Sequence, residues 1–139
     1  SNRVRDAAMM IAVVAANPNF NRVHLAGSGE AGVWALLARA LAGDLVDKTV
    51  VDVGGFGFGR VTQTDDPMFL PGALKYGGLG GLAALAAPAP LTVAGTEGCP
   101  PEELSALQRV YAAGNGRLTL DGDSLTPEQI ASKLLAADE

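Results

Sequence analysis

The sequence predicts an α/β protein: three layers built on a short parallel sheet of about four strands. Two observations carry this expectation. Four short apolar runs alternate with longer stretches of helical periodicity, the α(βα)4 order that right-handed crossovers turn into a parallel sheet. Three of the four runs are apolar at nearly every position, as strands covered on both faces are.

Each element has its own signal. Residues Arg3–Ala16 have helical apolar spacing and stop at Asn17-Pro18-Asn19. Val23–Ala26 is the first strand and runs into Gly27-Ser28-Gly29. Glu30–Leu41 repeats apolar residues at Val33, Trp34, Leu37, Ala38 and Leu41, with Gly43 as a stop. Thr49–Val53 is a β-branched strand ended by Gly54-Gly55. Residues 54–66, rich in glycine and polar groups, read as a loop. Pro67–Leu74 and Leu79–Ala86 read as two short helices parted by Gly77 and Gly78. Leu91–Ala94 is the third strand. Glu102–Ala113 is a helix introduced by Pro100-Pro101 and closed by Gly114. Arg117–Leu120 is the fourth strand, and Thr126-Pro127-Glu128-Gln129 opens a last helix to about Ala136.

Composition bounds the function. A chain of 139 residues is a single module, residues 1–139, and the expectation is that it is a fragment or domain of a longer protein. Ser1-Asn2 reads as a scar of tag removal, so no compartment is assigned. A net charge of −5 offers no basic stripe for nucleic acid. No apolar run reaches the roughly 20 residues of a spanning helix, so no membrane partner is expected. The single cysteine, Cys99, rules out an internal disulfide and a cysteine-rich zinc site.

The segment from His24 to Gly32 is strand, tight turn and helix start, and it reads two ways. Gly27, Gly29 and Gly32 form a G-x-G-x-x-G, with Asp52 placed 20 residues on as a ribose-binding acid would be. That is a dinucleotide-binding reading, although four strands are too few for a two-halved nucleotide fold. The other reading is a nucleophile elbow, G-x-S-x-G.

On the second reading the chain resembles the α/β-hydrolases, and in particular the C-terminal half of bacterial proteins similar to acetyl xylan esterases and carboxylesterases. The likeness rests on Val23–Leu41, on Val50–Val53 with Gly54-Gly55, on Asp65–Gly72, and on the strand and loop Pro90–Gly98. It implies that the chemistry is lost. Gly27 matches the first elbow glycine, but the nucleophile position falls on Gly29, between Ser28 and Glu30. Ala31 stands where the second glycine would be. The acid position falls on Gly98, with Glu97 beside it, and the histidine position on Asp123. The only histidine, His24, lies inside the strand that leads to the turn and reads as a packed residue that cannot act as the base.

The remaining polar groups read as structure. Cys99 is a small apolar filler, and Asp65-Asp66 a solvated turn and helix cap. Asp52, Glu97, Asp121 and Asp123 gather at strand C-terminal ends, where open sheets bind ligands, without a metal being expected. Trp34 and its leucine-alanine stripe read as packing. The expectation is therefore a noncatalytic hydrolase-like module with a structural, assembly or ligand-binding role and no cofactor. Its partner would be an upstream domain, or a second copy joined at the Val23–Ala26 edge, with apolar residues near Val23 and Val51 poorly covered. Two alternatives stay open: a carboxylic ester hydrolase completed by residues from elsewhere, and a dinucleotide-binding module.

Overall fold

The computed structural model describes residues 2–136. Helix α1 (Asn2–Ala15) leads to strand β1 (His24–Ser28) and helix α2 (Glu30–Ala42). Strand β2 (Lys48–Asp52), helix α3 (Gly78–Ala83) and strand β3 (Leu91–Ala94) follow. Helix α4 (Pro101–Gly114), strand β4 (Leu118–Leu120) and helix α5 (Pro127–Leu135) complete the order. The strands lie in sequence order, β1-β2-β3-β4, and all three pairings are parallel. The α/β class and the four-stranded parallel sheet are thus as the sequence predicts.

Sequential order with crossovers of one hand puts the crossover helices on one face of the sheet. Val33 and Leu36 of α2, Leu79 and Ala83 of α3, and Leu107 and Tyr111 of α4 share a core with Val51, Leu91 and Val93. Side chains alternate along a strand, so Lys48, Val50 and Asp52 face the other way. That second face belongs to α5: Lys48 Nζ donates to the Ala136 carbonyl at 2.8 Å, and Asp52 Oδ2 accepts from Leu125 N at 2.9 Å. Helix α1 lies against α2, where Val4 and Ile11 close a second cluster with Ala38 and Val46.

Four expectations are corrected. Residues 67–74 are not a helix; they are turns followed by a 3-10 segment at Ala73–Tyr76. Pro67, Pro71 and Gly72, the last at φ 79°, break the ladder, and Asp66 Oδ1 accepts from Met68 N at 2.8 Å in a local turn. Val51 is completely buried rather than poorly covered, because it points into the three-helix face. His24 is exposed rather than packed. It starts an edge strand, pairs with Lys48 in register and points to the thinly covered side. Strand β1 also begins one residue later than expected and runs two residues further, so Gly27 and Ser28 are strand and the turn is left to Gly29.

Candidate functional site: the carboxyl edge of the sheet

The sheet's carboxyl edge is built by four turns. At the end of β1 the chain reverses on Gly29, with φ 62° and ψ −133°. Few residues other than glycine adopt that conformation without strain. A Cβ at Gly29 would meet nothing within 4 Å. The turn is therefore sharp, and open above its apex. Helix α2 then packs unusually close to the sheet. A Cβ on Gly32 would overlap the Asp52 carbonyl oxygen, and one on Gly27 would lie 2.6 Å from the Ala31 carbonyl oxygen.

The loops after β2, β3 and β4 are knitted together by backbone bonds. Gly55 N donates to Gly95 O at 2.6 Å, Gly95 N to Asp123 O at 2.9 Å, and Glu97 N to Gly122 O at 3.1 Å. Arg60 crosses above them, donating from Nη1 to Gly55 O at 3.2 Å and from Nη2 to Gly98 O. Two hollows result. One, of about 410 Å³, has Gly29, Glu30, Gly54, Gly55, Arg60 and Asp66 in its wall. The other, of about 310 Å³, is lined by Gly95, Glu97, Gly122, Asp123 and Ser124, and adjoins the first through Gly54 and Gly55.

The predicted residues divide accordingly. Gly29 and Glu30 stand at the first hollow, Glu97 and Asp123 at the second. Gly98 is held beside Arg60, where a Cβ would come 3.5 Å from Nη2. Ser28 is the last residue of β1, in register with Asp52 and one place short of the turn. His24 sits at the opposite end of the strand, about 13 Å from Ser28 at the rise of an extended chain. No imidazole therefore shares the apex. Asp52 is 4 % exposed and its carboxylate is engaged: Oδ1 accepts from Gly54 N at 2.9 Å and Oδ2 from Leu125 N. It braces two loops rather than facing a crevice. Among the described residues, no group of three or more His, Cys, Asp or Glu is placed to hold a metal ion, and no helix is long and apolar enough to cross a membrane.

Cys99 is buried, and its thiol donates to the Phe56 carbonyl at 3.1 Å. Its pKa is raised, first by burial and then by the nearby Glu103 charge, with Arg60 opposing. Burial and the Glu103 charge both disfavour the thiolate, the nucleophilic form.

Two supporting groups escape a reading of the sequence. Glu103, in the first turn of α4, is buried and accepts three backbone N–H groups: Gly59 at 2.9 Å on Oε1, and Phe58 at 3.2 Å and Leu79 at 2.8 Å on Oε2. It fixes the 58–60 turn that carries Arg60 over the edge. Arg39, wholly buried on α2, donates to Ala83 O at 3.0 Å, Ala89 O at 2.8 Å and Tyr111 Oη at 2.6 Å. It ties α2 to α4 and to the segment before β3. A glutamate three residues after Pro100 already signals a first-turn acid. An arginine inside an apolar helical stripe gives no comparable signal.

No family model, no curated protein and no solved structure matches this chain.

Proposed function

We propose that the chain is a noncatalytic α/β-hydrolase-like module whose carboxyl-edge crevice binds a ligand or a neighbouring domain, in a structural or assembly role. One observation carries the reading: a strand-to-helix turn in the strained elbow conformation has a glycine at its apex, with open space where a nucleophile's side chain would stand. The residues around it agree. Glu97, beside the acid position Gly98 of the resemblance, and Asp123, at its histidine position, are both acidic and lie on adjacent, hydrogen-bonded loops. Two carboxylates there offer no imidazole to take a proton from a hydroxyl. The dinucleotide reading loses its ribose acid, because Asp52 already accepts two backbone N–H groups.

The assembly part of the reading rests on β1. It pairs with β2 alone, so its outer edge keeps unsatisfied backbone groups that another chain can use.

Hydrolysis of p-nitrophenyl acetate tests the loss of chemistry. The protein should turn the ester over no faster than its Ser28→Ala variant, and neither should exceed the buffer rate appreciably. A Ser28-dependent rate well above buffer would move the nucleophile back onto Ser28 and remove the basis of this reading.

A further inference from the structure

A third hollow lies away from the elbow, between α1, α2, the 67–70 turn and α3, and its chemistry is different. It is an open cleft of about 270 Å³. Trp34, Leu37, Leu41, Met68, Phe69 and Leu85 supply much of its wall, and Arg5 is the one charged residue that lines it. Three of these apolar side chains are left in solvent: Leu41 is 69 %, Leu85 68 % and Phe69 39 % exposed. Scattered exposed leucines are ordinary, but three converging on one concave wall mark a binding surface. The one charge, that of Arg5, is positive, in a chain of net charge −5. The Arg3 guanidinium lies over the Trp34 ring, 4.7 Å from its centroid, two residues from Arg5 on the same helix. No carboxylate among the described residues lines the cavity.

We propose that this cleft binds a medium-chain carboxylate, with the alkyl chain laid along Trp34, Leu37, Leu41 and Leu85 and the carboxylate at the Arg5 guanidinium. The apolar wall supplies affinity through methylene burial and the arginine selects charge sign. At roughly 30 Å³ for a water-sized group, about 270 Å³ corresponds to about nine alkyl carbons, with the carboxylate outside at Arg5. The inference does not depend on the elbow or on the loss of hydrolysis, since only Met68 lines both this cleft and the elbow crevice.

Trp34 is the only tryptophan in the chain and forms part of the wall, so its emission reports occupancy directly. The protein is titrated with monomeric decanoate, hexanoate, decan-1-ol and decyltrimethylammonium, and separately with phosphatidylcholine–phosphatidylglycerol vesicles. Decanoate should bind saturably and at least about tenfold more tightly than hexanoate, since four buried methylenes contribute a factor on the order of 100 when fully covered. Arg5→Ala should weaken decanoate about tenfold while leaving decan-1-ol unchanged. Leu85→Glu should abolish both, with the melting temperature checked in parallel, and Leu41→Glu provides the same test should the first variant fail to fold. The proposal is overturned by an absence of saturable decanoate binding, or by decyltrimethylammonium binding as tightly as decanoate. Binding that survives both glutamate variants overturns it too, as does attachment to vesicles without binding of the monomer, which would make the cleft a membrane contact.

Discussion

Two glycines three positions apart, Gly29 and Gly32, show how differently the same residue type can be required. Gly29 is held at φ 62° and ψ −133° with empty space above it, so a side chain there suffers only the backbone strain. That cost is about 1–3 kcal/mol. Gly32 meets the backbone of β2 itself, and a carbonyl cannot rotate out of the way as a side chain can. Urea denaturation should therefore show Gly29→Ala losing about 1–3 kcal/mol and Gly32→Ala losing more than about 3 kcal/mol. Equal losses would mean that α2 is not seated on β2 as closely as the structure has it. Cys99 provides a second test at this scale. Burial, aided by the Glu103 charge, lifts its pKa above the ordinary 9.0. The folded protein then keeps a proton that the unfolded chain releases, so stability is fully present below pH 9.0 and falls as pH rises through the folded value. Tyr111, raised above 10.0 chiefly by burial, adds the same sign at higher pH. Cys99→Ala should flatten the loss that begins just above pH 9.0, and an unchanged slope would place the thiol in water.

Between elements, the sequence is legible wherever a local signal and the tertiary structure agree. The capping box of α5 is an example: Thr126 Oγ1 accepts from Gln129 N at 3.2 Å while Gln129 Oε1 accepts from Thr126 N at 2.8 Å. Strand cores such as Val50–Val51 and Val93 are equally plain, because continuous apolar β-branched runs have few other uses. Legibility ends where one residue serves two elements. Residues 67–74 have helical composition, but two prolines and a left-handed glycine decide the matter. Gly29 could be placed at the turn's apex by spacing, whereas its dihedrals and the emptiness above it are properties of the fold. Glu103 reads as a helix-start acid and proves to be a clamp on two other elements, the 58–60 turn and the start of α3. Removing the carboxylate leaves the buried N–H groups of Phe58 and Leu79, and the part-buried one of Gly59, without their acceptor, each buried group worth about 1–3 kcal/mol. Glu103→Ala should accordingly lose at least about 2 kcal/mol in urea, and amide exchange at Phe58, Gly59 and Leu79 should accelerate together. Acceleration at only one of the three would show that the clamp is not shared.

For the molecule as a whole, the decisive asymmetry is between the two faces and edges of the sheet. Three helices cover one face, so the core sits there, while α5 covers the other mainly over β2 and β1. Strand β1 is left at an edge with His24, Ala26 and Ser28 exposed. These are small or polar residues, so the open surface is not a sticky apolar face; what it offers is backbone. An unpaired parallel-sheet edge is a template for another strand, and natural proteins usually blunt such edges with charge, proline or a bulge. None of these devices occurs in His24-Leu25-Ala26-Gly27-Ser28. A two-fold pairing of β1 with its own copy would join two four-stranded sheets into one and satisfy both edges with the same residues. Light scattering should then show mass above the monomer at high-micromolar concentration, decreasing on dilution. Ala26→Lys places a charge on the exposed side of the strand without touching the core, and should return the protein to monomer with little change in stability. A wild-type protein that stays monomeric throughout that range would leave pairing of the edge to a neighbouring domain. Association unaffected by Ala26→Lys would shift the contact to another surface, such as the exposed Met9, Met10 and Val13 of α1.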